Sequence, residues 1–258
     1  MLLLTPALVL VACAPGIAAN DAPADLQSVT LRAIQDFGTD GEAEHIAWLV
    51  EWLEKNIDSA DDGYYFDHLE ADDVSMIEHE EDDVSWDRVV GAGVPARVHF
   101  SVDEYAAVVP ESDQSFAEPS TYSKWERKIT SGSEAEFLAG GALGTNNDVE
   151  KTEVGITIPY SMSKPYAWFD GGVLAAQSVV PKPGYDKNDL NGIVVGFTIE
   201  IWVPDGDGAI WYNGSWSELK TQLDDVMTED GALDLLIDGT RRYYWGTEEY
   251  VTGVDYDH

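Results

Sequence analysis

The densest collection of chemistry-bearing side chains lies between Asn56 and Asp87, where thirteen acids occur without a single Lys or Arg. Clustered carboxylate oxygens are what a hard cation such as Ca²⁺ takes as ligands. Asp58, Asp61, Asp62, Glu80, Asp82 and Asp83 are the candidate Ca²⁺ ligands of this stretch. The run from Asp58 to Gly63 follows an amphipathic segment, as an EF-hand loop would. Its third position is Ala60 and its twelfth is Leu69, however, where that loop needs oxygen donors. An EF-hand is excluded, and what remains is a looser carboxylate cluster or a solvated acidic loop. The histidines at 45, 68, 79, 99 and 258 form no ligand spacing, and His79-Glu80 lacks the second His four residues on that a zincin helix requires. There is no G-x-S-x-G nucleophile elbow and no phosphate-cradling G-x-x-x-x-G-K-[ST]. Two carboxylates on either side of a sugar would serve a glycosidase. With 49 acids in the chain, no one pair stands out.

Aromatic residues form the second group of candidates. Trp202, Trp211, Tyr212 and Trp216 lie close in sequence, as do Tyr243, Tyr244 and Trp245. Tyr and Trp rings either line a ligand site or fill a core. The third candidate is Cys13, the sole cysteine of the chain. It closes an apolar run, Leu2 to Val11, that is too short to cross a bilayer but suits the core of a secretory signal. The stretch Leu10-Val11-Ala12-Cys13 resembles the lipobox of bacterial lipoproteins. That resemblance implies a diacylglycerol on the Cys13 thiol and cleavage before it, so that Cys13 is no catalytic nucleophile. It also implies a location in the cell envelope, on the outer membrane if the cell is Gram-negative, because Ala14 rather than Asp follows the cysteine. Residues 1–12 are then signal peptide, and residues 13–24, rich in Ala and Pro, form a lipidated tether. Residues 25–258 make a single domain.

The charge excludes whole classes of function. Against the 49 acids stand 14 Lys plus Arg, a formal net charge of -35. Binding nucleic acid depends on basic groups that neutralise phosphates, so no nucleic-acid partner is expected. An anionic lipid surface would repel the chain, which leaves the lipid anchor as the route to a membrane. A cationic partner or a high-salt habitat, where screening relieves the self-repulsion, is compatible with this charge. With 44% hydrophobic residues and nine Trp, the chain can bury a substantial core.

The elements that must position these groups follow from periodicity. Residues 25–37 place Leu26, Val29, Ala33 and Phe37 at helical spacing. Thr39 and Glu42 fit a capping box for a second helix with the stripe Ile46, Leu49, Val50, Leu53 and Ile57. Val74, Met76 and Glu78 alternate as an exposed strand would. In ARVHFSV, Val98, Phe100 and Val102 share a strand face. YSKWERKIT, EVGITIPYS (Val154 to Tyr160) and VLAAQSVV read as further strands. The clearest is IVVGFTIEIWV, whose odd-numbered residues from Ile193 to Val203 form one buried face, with Val194, Thr198, Glu200 and Trp202 on the opposite, solvated one. Asp205 to Gly208 reads as a hairpin turn. Ser215 and Glu218 fit another capping box, opening a helix with Leu219, Leu223, Val226 and Met227. A further helix, with Leu233, Leu236 and Ile237, would end at Gly239.

Strands do not alternate with helices, so the expected class is α+β, an antiparallel sheet with N-terminal and C-terminal helices. That order is similar to the START-like, or helix-grip, family, whose sheet encloses a cavity for apolar ligands. Three functions follow. The leading one is a lipid-anchored, exported acidic protein that binds a partner in the envelope, without identifiable catalytic machinery and without a cofactor unless Ca²⁺ is one. The second is a START-like carrier of an apolar small molecule, and the third a carboxylate-dependent hydrolase. A filled core, an enclosed apolar cavity, or a cleft with two facing carboxylates would distinguish them.

Overall fold

The computed structural model describes residues 20–21, 24–80, 84–153, 155–220 and 229–254. The lipobox Leu10 to Cys13, Asp82 and Asp83, Val154, and Leu223, Val226 and Met227 lie outside the described residues. Along the chain run β1 (Asn20–Asp21), α1 (Ala24–Asp36), α2 (Glu42–Asn56), β2 (Tyr64–Phe66), β3 (Val90–Val98), α3 (Val102–Val108), β4 (Tyr122–Ser131) and α4 (Glu134–Leu138). There follow β5 (Gly144–Glu153), β6 (Ile156–Ser163), β7 (Tyr166–Phe169), β8 (Val173–Val180), β9 (Gly184–Tyr185), β10 (Gly192–Asp205), β11 (Gly208–Lys220) and α5 (Glu229–Thr252). The class is α+β, as expected.

Among the described residues the strands form one sheet in the order β1-β2-β3-β11-β10-β8-β6-β5-β4, with β7 beside β8 and β9 beside β10. Apart from the parallel pair β1-β2, its neighbours are antiparallel. Both faces of the sheet are covered. On one, α1 and α2 pack Leu26, Ile34, Leu49 and Leu53 against Val195, Phe197, Ile199 and Ile201 of β10. Polar ties fix this layer: Thr30 and Tyr212 share a hydroxyl contact of 2.6 Å, and Gln177 donates to the carbonyl of Ile34 at 2.7 Å. On the other face, α5 and α3 share a cluster with β3 at one end of the sheet and with Trp125 of β4 at the other. The sheet therefore wraps around α5, which is the helix-grip arrangement.

The odd-numbered face of β10 is buried as its periodicity predicts from Val195 onward, with Phe197, Ile199 and Ile201 at 0% exposure. Ile193 departs from it: the pairing with β11 shifts register between Ile193 and Val195, and Ile193 packs with the α5 cluster instead. The opposite face is not solvated. Trp202 is fully buried there and Glu200 is 3% exposed, because α5 covers that side too. Burial on both faces is hidden when one face carries polar residues that find partners inside.

Other expectations are corrected. Val74 ends a short 3₁₀ turn, Ala71–Val74, and no strand runs through Met76 and Glu78. Strand β3 stops at Val98. Val102 begins α3, whose N-cap Ser101 and Glu104 make a reciprocal capping box, Ser101 N–H to Glu104 Oε2 at 2.7 Å and Glu104 N–H to Ser101 Oγ at 3.3 Å. Ser215 and Glu218 lie within β11, not at a helix start. Gly239 lies inside α5, which continues to Thr252. At α2 the N-cap is Gly41, while Glu42 Oε2 accepts from Gly38 N–H at 2.6 Å, so the Thr39–Glu42 box does not form. The hairpin at Asp205 to Gly208 forms as predicted, with Gly206 in the left-handed region at φ 63°. Gly246, further along α5, is required by close approach: a Cβ there would lie 1.8 Å from the carbonyl oxygen of Ala117.

Candidate functional site

A cavity of about 190 Å³ lies between the sheet and α5. Its floor comes from the α5-facing residues of three adjacent strands. Ser178 of β8, Thr198 of β10 and Ser215 of β11 stand directly opposite one another in register. The next rung holds Ala176, Glu200 and Asn213. Tyr160, Met162, Val180 and Ile193 form apolar walls, and Leu235, Leu236, Gly239, Thr240 and Tyr243 of α5 form the roof. Leu235 is 37% exposed, so the cavity reaches the surface along the N-terminal half of that helix.

At the deep end Lys164, which directly follows β6, pairs with Glu200, and the two side chains are 1% and 4% exposed. The backbone of Lys164 is fixed on both sides: its N–H donates to Thr145 O at 2.8 Å and its carbonyl accepts from Thr145 Oγ1 at 2.8 Å. Burial disfavours the Lys164 ammonium, but the Glu200 carboxylate, with Tyr166 and Tyr243, outweighs that and holds it protonated above the usual lysine range. Glu200 Oε2 has no hydrogen-bond partner among the described residues. Burial, and then the Glu200 charge, push the Tyr243 hydroxyl upward, so it stays a neutral donor. Tyr105, whose hydroxyl lies 3.5 Å from that of Tyr243, is raised by burial as well. Beside them Arg127 donates to Asn147 Oδ1 at 2.9 Å and stacks 5.3 Å from the Tyr166 ring. This end of the cavity is polar and held by rigid strands; Leu235 and Leu236 make the α5 side of its mouth apolar, while Lys151 adds a charged group to the lining.

The aromatic candidates of the sequence sit behind this site rather than around its opening. Trp202 and Trp211 are a cross-strand pair with ring centroids 5.2 Å apart, and Tyr105 stacks on Trp202 at 4.3 Å. Their rings support Tyr243, which Trp211 meets edge-on at 5.0 Å. Tyr212 belongs to the α1 face. Trp216 borders the cavity, but its ring stacks on Phe66 at 4.7 Å on the other side of the sheet. The acidic candidates are dispersed. Asp58 pairs with Arg97, Asp62 with Arg241 and Glu80 with Lys182, each at 2.7 Å, while the Asp61 N–H donates to Tyr64. Among the described residues no group of three or more acids, histidines or cysteines could hold a metal ion. The sequence reading missed Lys164, Ser178, Thr198 and Ser215 as site residues. A usable signal was the isolated lysine in the aromatic setting MSKPYAW, in a chain with only 14 basic residues.

No family model matches the chain, and no curated protein does. Among solved structures it is similar to human STARD10, at 6% identity over 83% of this chain and 82% of that one, with a TM-score of 0.49. It is also similar to a fragment of the STAR-related lipid transfer protein from Xanthomonas axonopodis, at 7% identity over 67% of this chain and 90% of that one, TM-score 0.46. A third likeness is to TTHA0849 from Thermus thermophilus, at 13% identity over 62% and 96% of the two chains, TM-score 0.45.

Proposed function

We propose that this chain is a binding protein for a small amphipathic molecule, held in the cavity between its sheet and α5, and that it works in the cell envelope on a lipid anchor at Cys13. The observation that carries the reading is the cavity itself, with apolar walls and a polar floor, on a scaffold whose two faces are otherwise filled. A filled core would have favoured a surface-docking protein. Glu200 is the one carboxylate lining the cavity among the described residues, and it is engaged by Lys164, so a two-carboxylate hydrolase has no support here.

Gly239 supplies the test. A Cβ added there would come no nearer than 3.8 Å to Arg242 and Lys151, so a side chain can start from this position without a clash, and Gly239 is part of the roof over the cavity. Gly239→Phe should leave stability unchanged or raise it by a few tenths of a kcal/mol, because glycine is about 1 kcal/mol worse than alanine inside a helix. It should also abolish saturable quenching of tryptophan fluorescence by 2-naphthol, which Trp125 in the cavity wall reports. Unchanged quenching in a folded Gly239→Phe protein would place binding elsewhere.

A further inference from the structure

Five neutral polar side chains stand on the cavity floor: Ser178 of β8, Thr198 of β10, and Asn213, Ser215 and Ser217 of β11. Ser178 and Ser215 are 7% exposed and Asn213 9%. Among the described residues none of the five has a side-chain hydrogen-bond partner, yet none is among the sealed, unpartnered atoms of the structure, as Glu200 Oε2 and Arg127 Nη2 are. Their polar atoms therefore open into the cavity. A buried polar group that faces protein is almost always paired, so these five are a set of donors and acceptors kept for something else.

The charged groups nearby are engaged. Lys164 bonds Glu200, Arg127 donates to Asn147 Oδ1 and to the carbonyl of Val109, and Lys151 has a partner of its own. What the cavity still offers is four hydroxyls and one amide, each side chain able both to donate and to accept. A carbonyl or carboxylate only accepts and would use half of that capacity, whereas ligand hydroxyls use both halves. Neighbouring strands lie about 4.8 Å apart, and alternate residues of one strand about 7 Å apart. One hydroxyl reaches one or two of the five side chains; a ring with several hydroxyls reaches most of them at once.

Across from this floor, Met162, Leu236 and the Tyr243 ring present an apolar surface. The negative face of an aromatic ring suits C–H groups. An apolar cavity of about 150 Å³ holds benzene, so about 190 Å³ holds one six-membered ring with small substituents. A six-membered sugar ring has both required sides, hydroxyls along its edge and C–H groups on its face.

We infer that the cavity takes a monosaccharide in its six-membered ring form, with its hydroxyls on the Ser178–Thr198–Ser215 row and Asn213, and its C–H face toward Tyr243. The inference rests on the binding function proposed above and adds the ligand's chemical class to it.

Calorimetric titration of the full chain at pH 7 with D-glucose, D-galactose, D-mannose, myo-inositol and cyclohexanol tests this, with each probe also run against 2-naphthol by tryptophan fluorescence. At least one of the three sugars should bind saturably and displace 2-naphthol. It should bind at least ten-fold more tightly than cyclohexanol, because a site built to hydrogen-bond hydroxyls rejects the analogue lacking them. In Ser178→Ala/Ser215→Ala, that sugar should lose at least ten-fold in affinity while 2-naphthol changes less than three-fold, which shows the cavity still formed. An unchanged sugar affinity in this variant would overturn the floor as the recognising surface. Saturable 2-naphthol binding that no sugar displaces, or myo-inositol or cyclohexanol binding as tightly as the best sugar, would overturn the sugar assignment while the binding function stands. If neither 2-naphthol nor any sugar binds, the binding function falls, and this inference with it.

Discussion

Removing one partner of the Lys164–Glu200 pair should destabilise the fold by an amount set by pH, and removing both should cost far less. Both side chains are almost fully buried, at 1% and 4% exposure. In Lys164→Met the remaining carboxyl loses the countercharge bonded to it, and the buried Arg127 is the cation left in its surroundings. Keeping a carboxyl of ordinary pKa about 4.3 neutral at pH 7 costs about 3.7 kcal/mol. In Glu200→Met the remaining amine is the lone group, and holding a lysine of ordinary pKa about 10.4 neutral at pH 7 costs about 4.6 kcal/mol. Both figures fall in the range of about 3–5 kcal/mol for breaking a buried pair from one side. The two deficits have opposite pH dependence. Burying a carboxylate without its bonded partner is costly only where the carboxyl is ionised, so the Lys164→Met deficit should be small near pH 4 and grow as pH rises. The lone Lys164 has a lowered folded pKa, so the Glu200→Met deficit is small near pH 10 and grows as pH falls. The double Met variant, which buries no charge, should lie within about 2 kcal/mol of wild type at any pH. Urea unfolding of the four proteins at pH 5, 7 and 9, in constant salt, gives the full cycle. Single-variant deficits below about 1 kcal/mol with no pH slope would refute the reasoning, since the cavity would then be solvating each charge as water does.

Asp186 offers a second pH test: its carboxylate accepts from Asn191 Nδ2 at 2.9 Å and from the backbone N–H of Leu190 at 2.9 Å, and these bonds, the Asn191 side chain first, hold it down to about 2. The stability advantage of wild type over Asp186→Asn should be full above about pH 4, where the unfolded carboxyl is ionised, and fade as pH falls toward about 2; an advantage that does not change with pH would mean the carboxylate charge is irrelevant. Cys13→Ser should leave the melting temperature of the domain unchanged but move the protein out of the detergent phase, whereas wild type should be released by detergent and not by high salt. Release of wild type by salt alone would end the lipid-anchor reading.

The legible parts of this fold are those where one face of an element is uniformly apolar. The stripe of α2 and the odd-numbered residues of β10 are of that kind, and the strands YSKWERKIT and VLAAQSVV could be placed to within a residue or two. The illegible parts have polar residues that find partners inside. Strand β5, GTNNDVEKTE, has no apolar alternation, because Thr145 and Asn147 face inward, and Asn147 accepts from Trp125 and Arg127. The two capping-box patterns show how degenerate a four-residue signal is. Ser101 with Glu104 makes the box inside what reads as a strand, and Ser215 with Glu218 lies in a strand while reading as a box. In the second case the serine faces the cavity, and Glu218 Oε2 accepts from Ser85 N–H at 2.8 Å. The site was least legible because Lys164 and Glu200 are 36 residues apart and meet only when β6 and β10 are brought to the same face. Each alone looks like surface.

Strand β10 is a wall shared by two tenants. Gly196, Thr198 and Glu200 line the cavity, while Val195, Phe197 and Ile199, one step out of phase, hold α1 and α2. Because side chains alternate between the faces of a strand, the information for recognition and the information for folding are interleaved letter by letter, with Trp216, which borders the cavity and belongs to the cluster of Phe197, as a neighbour of both sets. A lineage carrying this strand can thus change what it recognises by drifting at even positions while selection on stability keeps the odd ones fixed, and relatives with different ligands would preserve one phase of the alternation and lose the other.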